Sequence, residues 1–243
     1  MMFDQTMIEL QCLEPRPMAR WRLVGIPFAG AGAQVYRPFA AHLPPEIEPW
    51  ALGLPGREQA LSRPLLRTWT ALLEAAEAAL TGLPPGPFAL YGHSLGAELA
   101  FALVTERRAQ AKALFVGARS AAPDPVPPEW ASAAAPELLA GLAERFGPLP
   151  ASLAHTEVLE LVLPALRADL ALLAEAPLER NPAPVPLTAF VGGDDPSTMR
   201  AEDRAWPGAA EVIALEGHGH YFLDTAAEAV CAAIAARLSD TPR

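Results

Sequence analysis

The stretch FALYGHSLGA at residues 88–97 decides the fold class of this 243-residue chain. Its first four residues are a short apolar run typical of a buried strand, and the segment Leu95 to Arg108 repeats apolar side chains at helical spacing. Between them, Gly92, Ser94 and Gly96 match the pattern G-x-S-x-G. A strand, a tight turn and a helix in this order predict a nucleophile elbow, in which the serine hydroxyl stands clear of the sheet.

Outward from this turn, further apolar runs predict buried parallel strands. They are Arg22–Ile26, Trp50–Leu54, Ala113–Gly117, Leu187–Val191 and Glu211–Leu215. Helical patterns separate them, notably at Thr68–Leu80 and Thr225–Leu238. The alternation of strands and helices predicts an α/β fold, with a mostly parallel central sheet flanked by helices on both faces.

The interval 123–186 breaks this alternation, because it contains no convincing strand. Leucines at helical spacing predict two amphipathic helices there, at Pro136–Phe146 and Thr156–Ala176. We therefore divide the chain into an α/β core, residues 1–122 and 187–243, and a helical insertion, residues 123–186. Such an insertion serves either as a stabilising subdomain or as a lid over a site.

Composition and charge exclude several classes of protein. The chain is 51% hydrophobic with a formal net charge of −10, and this charge repels the phosphate backbone of nucleic acids. Asp4 stands where a signal peptide needs positive charge, and prolines interrupt the longest uncharged stretch, at 78–97. Cys12 and Cys231 make neither a disulfide framework nor a metal half-site. We expect a cytoplasmic protein with no membrane or nucleic-acid partner.

A nucleophilic serine needs a histidine base and an acid, which in this fold follow it in the order Ser, acid, His. Asp194 and Asp195 come directly after one predicted strand, and His218 and His220 after the next. Both pairs therefore fall at the carboxyl ends of strands, where α/β folds build their sites. The residues alone leave open which member of each pair acts. Two histidines are also possible metal ligands, although no third ligand cluster accompanies them.

Six motifs in order carry a family resemblance. They are Arg22–Gly30 (RLVGIPFAG), Leu54–Glu58 (LPGRE), Tyr91–Ala97 (YGHSLGA), Leu163–Asp169 (LPALRAD), Gly192–Pro196 (GGDDP) and Gly219–Leu223 (GHYFL). From about Arg20 to Asp224, the chain resembles the stand-alone type II thioesterases of polyketide and nonribosomal peptide assembly lines. The resemblance implies an α/β-hydrolase fold with a helical lid inserted before the strand that carries the acid.

The resemblance also implies a site. Ser94, Asp195 and His220 would form the catalytic triad, and the backbone N–H groups of Ala29 and Leu95 would form the oxyanion hole. The implied reaction clears acyl groups from the phosphopantetheine arms of acyl or peptidyl carrier proteins, which bind transiently. No metal or organic cofactor is implied, since phosphopantetheine arrives as part of the substrate, and we expect a monomer.

The chain departs from the family pattern at a few positions. Phe28 and Ala31 stand where the family usually has histidine and glycine, and His218 where a small residue is more common. Phe28 is therefore a candidate for shaping the mouth of the substrate pocket. Arg57 and Glu58 match the family, and we expect them to form a structural ion pair.

Two other functions compete with thioester hydrolysis. A carboxylesterase or lipase acting on small oxygen esters would use the same triad, but the lipase-type HGGG oxyanion loop is absent from the sequence. A non-catalytic module that binds carrier proteins would need no serine, acid and histidine in this order. Both remain alternatives, and the order of the three residues favours an enzyme.

Overall fold

A computed structural model describes residues 7–177, 180–198 and 206–240. These residues form one seven-stranded sheet in the order β1-β3-β2-β4-β5-β6-β7, parallel throughout except for β1, which runs antiparallel to β3. The strands are β1 Glu9–Cys12, β2 Trp21–Ile26, β3 Ile47–Gly53, β4 Phe88–His93, β5 Ala113–Gly117, β6 Leu187–Gly192 and β7 Ala209–Leu215. The predicted fold class is confirmed.

Helices cover both faces of the sheet. They are α1 Tyr36–Ala40, α2 Trp69–Leu80, α3 Leu95–Thr105, α4 Ala135–Phe146, α5 Thr156–Glu175 and α6 Ala227–Asp240. Successive side chains of β4 alternate between the two faces, so that Leu90 joins the apolar core with α2, α3 and α5, while Ala89 and Tyr91 join the core with α1 and α6. Within the described ranges, no helix is both long and apolar enough to span a bilayer.

The structure corrects several element boundaries. The edge strand β1 and the five-residue helix α1 have no counterpart in the sequence prediction, because both are too short to establish a period. Helix α3 was expected to continue to Arg108 but ends at Thr105. Arg107 has φ 59°, in the left-handed region, and a right-handed helix cannot continue through that conformation.

Helices α4 and α5 occupy the interval in which two helices were predicted. Pro164 lies inside the 20-residue helix α5 without ending it. Leu166, Leu170 and Leu173 of α5 belong to the same apolar core as Leu90 of β4. The insertion therefore packs directly on the sheet's own core, and its opening as a lid stays a prediction.

Candidate active site

Ser94 occupies a strained turn between β4 and α3. Its φ of 55° and ψ of −110° lie outside the regions that non-glycine residues ordinarily populate, and its N–H donates to the carbonyl of Gly117 at 2.8 Å. A Cβ on Gly92 would lie 2.0 Å from the carbonyl oxygen of Gly96, and a Cβ on Gly96 would lie 2.0 Å from that of Ile26. Only glycine fits at either position, and this close packing holds the serine at the end of the sheet.

The structure brings Asp195 and His220 to this serine. Nε2 of His220 lies 3.1 Å from Oγ of Ser94, and Nδ1 of His220 lies 2.8 Å from Oδ2 of Asp195. All three side chains are buried, with 5% exposure or less. Because β4, β6 and β7 run parallel to one another in one sheet, the loops after them meet at one edge.

The alternative members of the two pairs lie elsewhere. Asp194 is exposed, and its N–H donates to the carbonyl of His218 at 3.0 Å. Nδ1 of His218 lies 2.9 Å from the hydroxyl of Thr225. In residues 7–177, 180–198 and 206–240, no group of three or more His, Cys, Asp or Glu side chains is arranged to hold a metal ion.

A second residue holds the Asp195 carboxylate. Oδ1 of Asp195 accepts hydrogen bonds from the N–H of Ser197 at 2.9 Å and from its hydroxyl at 2.7 Å. Burial raises the pKa of Asp195, but the bonds from His220 and Ser197 outweigh this and hold the pKa below its ordinary value. The carboxylate therefore stays ionised. Sequence reasoning missed Ser197, although a serine two residues after an aspartate is a common turn pattern.

His93 of the elbow supports His220 from behind. Nε2 of His93 lies 2.8 Å from the carbonyl oxygen of His220, and Nδ1 lies 3.3 Å from the hydroxyl of Tyr91. Burial, followed by the nearby His220 imidazole, lowers the pKa of His93 to about 3. The neutral ring must carry its proton on Nε2, because a carbonyl only accepts. The sequence motif contains His93 but predicted no role for it.

The two expected oxyanion donors border the serine. Ala29 lines the same cavity as Ser94, and Leu95 is the first residue of the 11-residue helix α3. Among the residues that the structure describes, neither N–H is hydrogen-bonded to a protein acceptor. A helix N-terminus favours negative charge, so an oxyanion formed beside Leu95 would be stabilised.

The serine opens onto a cavity of about 390 Å³ between the sheet and the insertion. Its far wall is apolar and comes from the insertion: Leu142, Phe146, Leu153, Leu161, Val162, Leu166, Leu170 and Leu173. Phe28 lies on the near wall, with its ring centroid 5.4 Å from that of Tyr221. The Phe146 ring lies 4.4 Å from the His220 imidazole, centroid to centroid, so the insertion contacts one of the three expected triad residues.

An α/β-hydrolase sheet with a serine elbow facing an apolar cavity defines the class of this protein. The particular family follows from comparison with known proteins. Residues 22–238 match the family model of the thioesterase domain, and the chain belongs to this family. It is therefore related to thioester hydrolases throughout nearly its whole length.

Three relatives illustrate the family. The chain is 36% identical over 233 residues to AMB antimetabolite synthetase AmbE of Pseudomonas aeruginosa, covering 92% of this chain and 11% of AmbE. It is 34% identical over 237 residues to the thioesterase PikA5 of Streptomyces venezuelae, covering 89% of this chain and 80% of PikA5. The solved structure of the type II thioesterase BorB, from the borrelidin biosynthetic cluster, superposes with a TM-score of 0.79 at 28% identity, covering 95% and 97% of the two chains. The resemblance to type II thioesterases is confirmed.

Proposed function

We propose that this protein is a serine thioesterase that hydrolyses acyl thioesters from the phosphopantetheine arms of carrier proteins in polyketide or nonribosomal peptide assembly. The observation that supports this most directly is the continuous contact from Asp195 through His220 to Ser94, on the floor of an apolar cavity. Membership of the thioesterase family makes the thioester the expected bond. The origin of BorB in a biosynthetic cluster supports an assembly-line setting.

Acylation begins at the serine. Nε2 of His220, 3.1 Å from Oγ of Ser94, accepts the hydroxyl proton as Oγ attacks the thioester carbonyl carbon. The carboxylate of Asp195 holds Nδ1–H and stabilises the imidazolium. The N–H groups of Ala29 and Leu95 donate to the oxyanion. When the tetrahedral intermediate collapses, the C–S bond breaks and His220 returns the proton to the pantetheine sulfur.

Deacylation repeats the cycle with water. His220 accepts a proton from water, the hydroxide oxygen attacks the acyl-Ser94 ester, and the acid is released as Oγ regains the proton. Both half-reactions use only groups of this chain, water and the substrate, and phosphopantetheine enters as part of the substrate. We propose that no metal or organic cofactor takes part.

The insertion supplies the binding surface for the acyl chain. Its apolar side chains face the serine, and burial of each methylene contributes about 0.8 kcal/mol. An acyl group longer than acetyl therefore gains affinity from this wall. Phe28 and Tyr221, on the near wall, add flat apolar surface beside the reacting carbonyl.

We propose that carrier proteins bind transiently, chiefly through the arm, and that the enzyme acts as a monomer. Of the three arginines in the loop after β3, all within the described residues, only Arg67 is exposed, so this loop offers an acidic partner little positive charge. The guanidinium of Arg57 is buried against Asp169, and the guanidinium of Arg63 lies 2.5 Å from the Glu9 carboxylate. The net charge of −10 adds repulsion at long range.

The test uses acyl groups of graded length, each loaded on a carrier protein and each also prepared as an oxygen ester. We expect hydrolysis of the thioesters at a higher kcat/KM than the oxygen esters, rising with chain length. Ser94→Ala should lower kcat by ~10⁶ while circular dichroism and Tm stay unchanged. Ser120→Ala, which removes another buried serine hydroxyl, is the control and should retain activity.

Three results would contradict the proposal. Thioester hydrolysis by purified Ser94→Ala would remove the serine from its role. A consistent preference for oxygen esters would instead favour the esterase alternative, and a wild-type protein inactive on both would favour the binding module.

A further inference from the structure

The oxyanion loop, residues 28–32, is held by a carboxylate from the insertion. Asp169 lies in α5 and is 2% exposed. Its Oδ2 accepts a hydrogen bond from the N–H of Gly30 at 2.8 Å. Gly30 directly follows Ala29, whose N–H is one of the two proposed oxyanion donors. A side chain 139 residues away in sequence thus fixes the peptide next to that donor.

Arg57 completes this arrangement from the loop after β3. Its NH1 and NH2 donate to the two carboxylate oxygens of Asp169 at 2.6 and 3.0 Å, and NH1 also donates to the carbonyl of Ala31 at 3.0 Å. The expected ion pair between Arg57 and Glu58 is therefore wrong. Glu58 instead accepts a hydrogen bond from the N–H of Gln34 at 3.0 Å, just beyond the loop.

Packing holds the same loop on its other side. Gly30 has φ +81°, and a Cβ there would lie 3.2 Å from side-chain carbons of Val162 and Leu166 in α5. The backbone conformation therefore favours glycine, and a Cβ would also be tightly packed against the helix. The loop is fixed against α5 by a hydrogen bond and by direct contact.

We propose that Asp169, together with Arg57, is a positioning residue for the oxyanion hole. This inference rests on the proposed function, in which Ala29 N–H stabilises the tetrahedral intermediate. Oxyanion donors act only when they are placed to within a fraction of an ångström, and a misplacement of 1 Å costs up to ~10²-fold in rate. Asp169 sets that placement by anchoring the Ala29–Gly30 peptide, and Arg57 holds Asp169.

The chain contains a matched control for this role. Glu98 of α3 is also a buried carboxylate paired with arginine: it accepts from Arg119 at 2.6 Å and from Arg180 at 2.7 and 2.8 Å. Glu98 makes no hydrogen bond to the oxyanion loop. Removing the charge of Glu98 therefore reproduces the loss of a buried ion pair without touching the proposed donor.

The experiment compares Asp169→Asn with Glu98→Gln on an acyl-pantetheine thioester and on a nitrophenyl ester of the same acyl group. For Asp169→Asn we expect kcat to fall by ~10 to 10²-fold on both substrates, with KM changed by less than about twofold. Affinity for an alkyl trifluoromethyl ketone, which forms a tetrahedral adduct with the serine, should fall by the same factor. Affinity for the corresponding non-hydrolysable amide should not change. Glu98→Gln should lower Tm and leave kcat unchanged.

A second variant tests the same role if Asp169→Asn folds poorly. Arg57→Lys keeps the positive charge but loses the two-pronged contact with Asp169, and should reduce kcat and ketone affinity in the same direction. A purely structural role would be shown if the Asp169 and Arg57 variants lowered Tm but kept kcat and ketone affinity. Failure of the proposed function would look different, because the wild type itself would then not hydrolyse the thioester while still supporting the nitrophenyl ester comparison.

Discussion

The two walls of the active-site cavity are built on different principles. On the sheet wall, Ser94, Asp195 and His220 are placed by parallel strands, and each is held by short hydrogen bonds. On the insertion wall, α4 and α5 present mainly leucines, which bind without fixed direction. Two of the contacts that cross between the walls reach the proposed triad or the oxyanion loop directly: the Phe146 ring contacts His220, and the Asp169 carboxylate holds Gly30.

The difference separates two tasks, the placing of catalytic groups and the binding of an apolar chain. Hydrogen bonds need defined distances and angles, so the reacting groups lie on the rigid sheet edge. Apolar contacts tolerate variation in shape, so side chains of the proposed acyl-binding wall can vary in size more readily than the groups of the proposed triad can move. The two crossing contacts are where a change in the insertion would alter chemistry as well as binding.

The largest expected effect lies on the sheet wall. Asp195→Asn should lower kcat by ~10⁴, because the amide no longer stabilises the imidazolium or selects the correct tautomer. Asp194→Asn is the matched control and should leave kcat unchanged, because that side chain is exposed. Steady-state hydrolysis of an acyl-pantetheine thioester measures both. A larger loss of kcat in Asp194→Asn than in Asp195→Asn would instead assign the acid to Asp194.

A smaller effect is expected where the insertion contacts the triad. Phe146→Leu should lower kcat by up to ~10-fold, since an aromatic pair contributes about 0.5–1.5 kcal/mol beyond its buried area. Leu142→Ala, which enlarges the acyl wall in the same helix, should mainly raise KM for long acyl chains. If Phe146→Leu, like Leu142→Ala, changed KM and left kcat unchanged, the Phe146 contact would act only through binding. The difference between the two walls would then be larger at this position.

The smallest effect concerns stability, again on the sheet wall. The pKa of His93 is about 3 in the folded protein and near 6.5 in the unfolded chain. Between these values only the unfolded chain binds the proton, so the free energy of unfolding should fall as pH falls, by at most about 1.4 kcal/mol per pH unit. The pKa of Asp195 is also lowered, but this group changes the pH dependence of unfolding only below its ordinary pKa of 3.8.

Denaturant unfolding from pH 6.5 to 5 therefore avoids the titration of Asp195, and a comparison with His93→Gln separates His93 from the other four histidines. His93→Gln should show a shallower pH dependence than the wild type over this range. Parallel curves for the two proteins would mean that His93 is accessible to protons in the fold.

The sequence patterns predicted the strands and the elbow of the sheet wall, for physical reasons. Strand and helix periodicity is local, and the elbow combines a strand, two glycines and a helix within ten residues, so all six predicted strands are present. The triad order then limited the acid and base to two candidates each. Choosing Asp195 and His220 from the residues alone was not possible, because neighbouring loop positions differ only in how the turn directs them.

No sequence pattern indicated which residues contact each other across the cavity. Arg57 and Asp169 are 112 residues apart, and their meeting depends on how α5 rotates and packs against the core. The contact of Phe146 with His220 likewise depends on tertiary packing. A motif match marked Arg57 and Asp169 as residues of interest, but a nearby charge, Glu58, was the natural partner in the absence of coordinates.

The position of β7 at one edge of the sheet has a consequence for biosynthesis of the protein. A ribosome delivers the oxyanion loop, the elbow and the insertion before His220, which follows Ser94 by 126 residues. Contacts between distant segments form late, because closing the long loop between them costs conformational entropy. We therefore expect a nascent chain to carry an unactivated serine until β7 pairs with β6 and brings His220 to Ser94.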